Sequence, residues 1–441
     1  MNYSLTETIY ALSSGGGKGG VAVIRISGKE SLTIFESLTK IKNPQPRYAY
    51  FSALKNQEDI VIDHALSLYF KAPNSFTGED VVEFQVHGGR SVIDAVFHAL
   101  ACFQNTRPAL AGEFSRRAVV YGKMDLTGAE GLMDLIDAQT EWQRRQALTQ
   151  MEGKLGSLYD SWRQDLVKDM AYLEAFIDFP EEDIPEEKQK MIDEGISNLI
   201  QKIETHLKDN KKGQRLRNGF QIAIIGEPNV GKSSLINLLS EKDVAIVSNQ
   251  AGTTRDVVET CLDINGFPVV LADTAGLREG AGEIEAEGIK RAVRKAEESD
   301  LILHICDATS YPLGDVLPEN LKGIPVKTVW NKLDKIAKKP SSDALFMSVK
   351  TKEGFKELQD EISSFLMENF APDTGGVITR ERYRRALEDC LTSLKSALIA
   401  PELELKAEDL RLAARALARI VGKIETDELL DIVFKDFCIG K

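Results

Sequence analysis

Gly226-Glu227-Pro228-Asn229-Val230-Gly231-Lys232-Ser233-Ser234 follows the apolar run Gln221 to Ile225 and opens the apolar-periodic segment Leu235 to Leu239. The order strand, glycine loop, helix gathers backbone N–H groups and a helix N-terminus at one spot, which suits a phosphate. Gly226 and Gly231 let the backbone turn inward, Lys232 has the reach for outer phosphates, and the Ser233 hydroxyl suits Mg²⁺. A chance glycine turn would account for the glycines but not for Lys-Ser at this offset.

The partners such a loop needs follow in order. Asp273-Thr274-Ala275-Gly276 comes after the apolar run Phe267 to Ala272, so its carboxylate is expected at a strand end, holding Mg²⁺ through water. Asn331-Lys332-Leu333-Asp334 follows a second run, Val326 to Trp330. An aspartate there can accept both the ring N–H and the exocyclic amine of guanine, a donor pair that adenine lacks, so the expected nucleotide is GTP. Ser348-Val349-Lys350, after Ala344 to Met347, matches the last guanine-contacting loop of GTPases. Most such loops carry Ala where Val349 stands, but a contact through backbone N–H tolerates the change.

One position departs from the Ras-like pattern. Where those enzymes place a Gln that orients the attacking water, this chain has Leu277. Leucine makes no hydrogen bond, so another group must hold the water. Glu279, Glu283, Glu285 and Glu287 are the local acids, and nothing in their spacing selects among them.

The chain has 441 residues, room for roughly three domains, of which the phosphate-loop unit fills one. A net charge of -13 gives no global field for nucleic acid, so any RNA contact must use local patches. Arg116-Arg117, Arg144-Arg145, Lys211 to Arg217 and Arg380 to Arg385 are the possible patches, each also readable as a solvated helix face. Five cysteines, 102, 261, 306, 390 and 438, lack CxxC spacing, which argues against a disulfide framework or zinc site and for a reducing compartment. No basic leader or membrane-length apolar run is evident, so the expected location is cytoplasmic, with no membrane contact.

Either side of the GTPase unit the pattern changes. Residues 1 to 117 read as mixed α and β. Gly15 to Gly20 before the strand Val21 to Ile26 superficially suggests a second phosphate loop, but it lacks the Lys-Ser ending and the following helix. Val82, Phe84 and Val86 alternate with Glu83, Gln85 and His87, a half-buried strand with a carboxylate on its polar face. Asp125 to Ile177 reads as helical, Pro180 and Pro185 interrupt the pattern, a second amphipathic run covers Ile192 to Leu207, and Glu381 to Ile399, Ala407 to Ile424 and Asp427 to Phe434 read as further helices. Helices before and after one α/β unit imply that the unit is inserted into a helical domain, an arrangement able to convert nucleotide state into helix movement.

The chain resembles the tRNA modification GTPases of the MnmE (TrmE) family over nearly its whole length. The resemblance is carried by Gly20-Val21-Ala22-Val23-Ile24-Arg25-Ile26-Ser27-Gly28, Phe76-Thr77-Gly78-Glu79-Asp80, His87-Gly88-Gly89, Gly112-Glu113-Phe114, Lys123-Met124-Asp125-Leu126, Ile177-Asp178-Phe179-Pro180, Ala251-Gly252-Thr253-Thr254-Arg255-Asp256, Asp273 to Arg278, and Phe437-Cys438-Ile439-Gly440-Lys441. It implies a multidomain α/β protein: an N-terminal α+β folate-binding-like and dimerisation domain over 1–117, a helical domain over 118–216 and 376–441, and an inserted P-loop GTPase domain of Ras-like α/β fold over 217–375. It implies a one-carbon tetrahydrofolate, either 5,10-methylene or 5-formyl, held by Arg25, Glu83, Lys123 and Lys441, with Glu83 meeting the pterin N–H donors.

In the GTPase domain the family uses potassium where other GTPases borrow an arginine finger. Asn229, the Ser248 and Gln250 carbonyls and the Thr253 hydroxyl match the potassium ligands; Ser248 is usually Thr, but a backbone oxygen does the ligation. Thr254 matches the second Mg²⁺ ligand beside Ser233, and Glu285 the water-orienting acid. The implied GTP-contacting set is Asn229, Val230, Gly231, Lys232, Ser233, Ser234, Ser248, Asn249, Gln250, Ala251, Gly252, Thr253, Thr254, Asp273, Thr274, Ala275, Gly276, Asn331, Lys332, Asp334, Ser348, Val349 and Lys350. By resemblance the protein is a homodimer that works with an FAD-dependent partner to install a (carboxymethyl)aminomethyl group at carbon 5 of the wobble uridine of certain tRNAs, with Cys438 a candidate catalytic thiol. Leu110-Ala111 stands where the family usually has Arg-Pro before Gly-Glu-Phe. The competing expectation is a GTP-regulated assembly or ribosome-associated switch without modification chemistry, against which the folate signature weighs.

Overall fold

The computed structural model describes residues 5–178, 186–208, 212–242, 261–272, 296–313, 321, 323–370, 377–423, 430, 433, 434, 437, 438 and 440. The chain divides into two compact units, one of Met1–Met133, Met151–Val167 and Ala414–Lys441, the other of Asp134–Gln150 and Lys168–Ala413.

The first unit is built on strands β1 (Thr8–Leu12), β2 (Gly19–Ser27), β3 (Tyr50–Lys55), β4 (Val61–Phe70), β5 (Val81–Gly88) and β6 (Thr106–Pro108), with helices α1 (Ser31–Thr39) and α2 (Arg90–Ala101). The sheet order is β3-β4-β5-β2-β1-β6, antiparallel throughout except for the parallel pair β1 and β6. Alternation decides what each face does. Ile24, Ile26, Phe84 and Val86 pack against Ile34, Phe35 and Leu38 of α1 and Val96 and Leu100 of α2. The intervening residues Arg25 and Glu83 are cross-strand partners. Helix α3 (Glu113–Val120) follows. Residues near the C-terminus return to this unit: Phe434 and Phe437 pack with Leu126 and Ala129, and the Ser13 hydroxyl donates to the Gly440 carbonyl at 2.7 Å.

The run Asp125 to Ile177 is helical as expected and comprises three helices: α4 (Leu126–Asp137), α5 (Glu141–Met151) and α6 (Lys154–Asp178). Local chemistry makes both breaks. The Gln143 side-chain oxygen accepts the N–H groups of Gln139 (3.0 Å) and Thr140 (3.1 Å), reaching back as in a capping box to start α5. Gly153, at φ +80°, ends it.

In the second unit, α7 (Glu186–Leu207) and α8 (Lys212–Asn218) precede β7 (Phe220–Ile225), α9 (Lys232–Lys242), β8 (Cys261–Ile264), β9 (Phe267–Ala272), β10 (Leu301–Asp307), β11 (Val326–Asn331) and β12 (Leu345–Phe346). The order is β12-β11-β10-β7-β9-β8, parallel except for β8. Ile222, Ile224, Leu301, Leu303, Ile305, Val269 and Leu271 fill the core with Leu235 and Leu239 of α9 and Leu358 and Ile362 of the helix Phe355–Phe370. Central strands buried on both faces explain why these runs are continuously apolar. The expected strand Ala344 to Met347 shortens to β12, an edge strand paired with β11 only at Leu345 and Phe346. The helix Glu381–Ile399 matches the periodicity, whereas the next starts at Leu403, ahead of the expected Ala407.

A single carboxylate joins the approaches to this sheet. Asp134 of α4 accepts from the Arg217 Nε and the Arg380 Nη2, both at 2.8 Å. Arg217 lies just before β7, and Arg380 caps the helix Glu381–Ile399. Beside it, Trp142 of α5 stacks on Phe267 at 5.4 Å and donates its backbone N–H to the Gly266 carbonyl at 3.2 Å.

Candidate nucleotide site

Strand β7 lies between β9 and β10, so its C-terminal end is where the chain order reverses and where open parallel sheets bind ligands. The glycine loop leaves from that end. Gly226 (φ +145°) passes so close to the Ile305 carbonyl that a Cβ would collide with it, and Gly231 (φ +106°) does the same with the Asn331 side-chain nitrogen. Between them Val230 is buried as the loop's anchor, while Asn229 (φ +65°) is exposed. The Lys232 ammonium donates to the Gly226 and Glu227 carbonyls at 2.7 and 2.8 Å, curling the loop around the charge. Ser233 and Ser234 are exposed at the start of α9.

Gly231→Ala combines backbone strain with displacement of Asn331. The expected outcome is a loss of about 1–3 kcal/mol in denaturant unfolding, together with nucleotide affinity lowered about tenfold or more in titration.

Asn331 does more than its motif suggests. It is buried, its Nδ2 donates to the Val230 carbonyl at 2.7 Å, and its Oδ1 accepts the Val349 N–H at 3.1 Å. One side chain therefore ties the phosphate loop to the loop expected to meet the base. Asp334 stands in the short turn Leu333–Lys335, where the Ser348 hydroxyl donates to its Oδ1 at 2.6 Å. That bond holds the Asp334 carboxyl below its ordinary range. Lys332, in the left-handed region at φ +69°, donates from Nζ to Asp307 Oδ2 at 2.8 Å. The Lys350 charge also lowers the Asp334 pKa.

Asp307 was not legible as a site residue. Its only sequence signal is a carboxylate at the end of an apolar run; its register beside Asn331 is set by the sheet. Burial opposes its ionisation, but the Lys332 ammonium and the backbone and hydroxyl donors of Thr309 outweigh that and hold it down at about 2. Because the folded value is depressed, the pair's contribution is complete above the ordinary carboxylate range and fades only as pH falls toward about 2.

Ser248, Asn249, Gln250, Ala251, Gly252, Thr253, Thr254, Asp273, Thr274, Ala275, Gly276 and Glu285 lie outside the described residues.

In the first unit, Arg25 Nε donates to Glu83 Oε1 at 2.9 Å, and the Arg25 guanidinium lies over the rings of Phe76 (5.2 Å) and Phe114 (5.8 Å). Lys123 Nζ donates to the Pro73 carbonyl at 2.8 Å. Arg25 and Glu83 are thus brought together, and Lys123 reaches the segment that carries Phe76. Lys441 lies outside the described residues. Cys438 is exposed, with its carbonyl accepting the Gly112 N–H at 3.2 Å. At the family departure, the Leu110 N–H donates to the Glu113 carboxylate at 2.9 Å, which also takes Arg107.

Several basic patches are spoken for. Arg116 and Arg117 are buried, neither a patch nor a solvated face, because Glu79 and Glu113 receive the Arg117 guanidinium at 2.9 and 3.2 Å. Arg144 and Arg145 share Glu141, and Arg217 and Arg380 share Asp134.

A family profile described as the MnmE helical domain matches residues 126–438, and one described as the GTP-binding protein TrmE N-terminus matches residues 8–123. The tRNA modification GTPase MnmE of Parvibaculum lavamentivorans is 46% identical over 99% of this chain and 100% of its own length. That of Paramagnetospirillum magneticum is likewise 46% identical over 99% and 100%. Among solved structures, the G domain of the T. maritima FeoB iron transporter aligns with 33% of this chain and 98% of its own at 23% identity, with a TM-score of 0.22.

Proposed function

The chain belongs to the MnmE family of tRNA modification GTPases, and from that premise we propose that it runs a potassium-activated GTP cycle serving wobble-uridine modification with an FAD-dependent partner. The observation that carries the GTPase part is the Asn331 junction. Its bonds link Val230 to Val349, next to the Ser348 that holds Asp334, which supports reading the glycine loop as phosphate-binding and Asp334 as the guanine acceptor.

Two of the proposed ion ligands, Ser233 and Asn229, lie among the described residues, and both are exposed on or beside the phosphate loop. Ser233 is exposed at the start of α9 and would hold Mg²⁺ with Thr254; Asn229 is exposed on the loop and would ligate potassium with the Ser248 and Gln250 carbonyls and the Thr253 hydroxyl. Potassium would supply positive charge where the transition state gathers negative charge, the task an arginine finger performs elsewhere. Lys232 would exchange its loop carbonyls for phosphate oxygens. Glu285 would orient the attacking water, since Leu277 cannot.

In the N-terminal domain, Arg25, Glu83, Lys123 and Lys441 are proposed to hold 5,10-methylene- or 5-formyltetrahydrofolate. Support comes from the Arg25 pair, which orients the Glu83 carboxylate, and from the two aromatic rings that fix Arg25. The same domain is proposed to form the homodimer, Cys438 to supply an exposed thiol, and tRNA to be the substrate. The proposed location is the cytoplasm; among the described residues no helix is long and apolar enough to cross a membrane.

GTP turnover by the full chain is expected to rise steeply when potassium replaces sodium at equal ionic strength, toward the roughly 10³-fold of an arginine finger. Equal rates in the two salts would remove the potassium assignment. The modification itself is tested by combining the chain with the flavin partner, folate, GTP and tRNA and analysing the nucleosides; an unmodified wobble uridine would favour a GTP switch without this chemistry.

A further inference from the structure

Asp307 and Lys332 form an ion pair at the C-terminal ends of β10 and β11, and resting on the guanine-nucleotide reading above we infer that Asp307 is a positioning residue for the nucleotide. By holding the Lys332 ammonium, it fixes the Lys332 alkyl stem as a preformed wall for the base.

Topology brings the two together. β10 and β11 are adjacent and parallel, Asp307 and Asn331 end them in register, and Lys332 is the next residue. Their common edge carries the phosphate loop, because β10 also pairs with β7. Lys332 sits between Asn331, which reaches the loop at Val230, and Asp334, which is held by Ser348. Its left-handed backbone sets where the side chain departs, and the 2.8 Å bond to Asp307 Oδ2 sets where it ends.

Asp307 is itself immobilised. Its Oδ1 accepts the Thr309 N–H at 3.0 Å and the Thr309 hydroxyl at 2.8 Å, capping the turn Ala308–Ser310, and this leaves Oδ2 for the lysine. A free lysine side chain loses much rotamer freedom when a ligand packs against it. Here that freedom is lost before the nucleotide arrives, which is preorganisation.

The test uses the full chain and GDP as the probe. Asp307→Asn keeps the size and the capping oxygen and removes the charge. It is expected to weaken GDP binding about tenfold, the scale of one lysine's ordering entropy, mainly through faster release. The KM for GTP should rise by a similar factor, with kcat falling far less. Asp307→Glu should recover part of the loss, and Asp307→Ser, which retains a capping oxygen, should repeat it. Added to Lys332→Met, the Asn substitution should cost nothing further, because the effect passes through the lysine. Wild-type affinity in Asp307→Asn, or a full additional loss on top of Lys332→Met, overturns the inference alone. A wild-type chain that takes up no GDP overturns the guanine reading and the inference with it.

Discussion

Asp334→Asn is expected to lower affinity for GTP by a factor on the order of 10⁴ and to make xanthosine triphosphate the better ligand. The carboxylate of Asp334 is acceptor-only, and one of its oxygens is already held by the Ser348 hydroxyl at 2.6 Å. Guanine offers that carboxylate a ring N–H and an exocyclic amine. An asparagine held by the same hydroxyl keeps its oxygen toward Ser348 and turns an NH₂ toward the base, setting donor against donor. Xanthine carries a carbonyl where guanine has the amine, so it accepts from that NH₂. Because the Ser348 bond keeps the Asp334 carboxyl below its ordinary range, wild-type discrimination should be flat through neutral pH and weaken only in acid, where protonation converts an acceptor into a donor. Competition between the two triphosphates for wild-type and variant chains measures the switch; unchanged preference for GTP would place guanine recognition elsewhere.

Asp134→Ala is expected to destabilise the second unit by about 3–5 kcal/mol, the usual result of removing one partner from a buried ion pair. Asp134 is 7% exposed and Arg380 16%. Truncation therefore leaves a largely desolvated guanidinium without this carboxylate, and it removes the Arg217 ion pair as well. The damage should fall where these arginines enter and leave the sheet. Hydrogen exchange is expected to accelerate in α8, β7 and the start of the helix Glu381–Ile399, with a lower denaturant midpoint. Asp134→Asn, whose oxygen still accepts but carries no charge, should fall between the two. An unchanged midpoint and unchanged protection in Asp134→Ala would mean that packing alone, including Trp142 on Phe267, holds this junction.

Much of the fold was legible because its signals are local. A strand running into a glycine loop and a helix is read within a few residues, and each nucleotide motif sits at the end of an apolar run that a parallel sheet must bury on both faces. The alternation around Glu83 announced a half-buried strand for the same reason. Within the helical run Asp125 to Ile177, periodicity does not mark the breaks: an apolar stripe continues across Thr140 and Gly153, while a capping side chain and a positive-φ glycine break the backbone. The signs were present in Thr140-Glu141-Trp142-Gln143 and Gly153, but hydrophobic spacing alone does not weigh them.

Taken alone, the amino-acid order established the class of each element, the order of the nucleotide motifs and, through the family's marker residues, membership. It could not assign partners. Asn331 joins Val230 across 101 positions, Asp134 joins Arg380 across 246, and Arg117 is buried against a glutamate 38 residues away. Each is a buried polar group whose desolvation must be offset by a specific acceptor or donor. Which group meets that need depends on strand order and register, not on any window of sequence. Tertiary structure therefore decided that Asn331 is a strut between two loops, that Arg117 is core rather than surface, and that Asp307 pairs with Lys332.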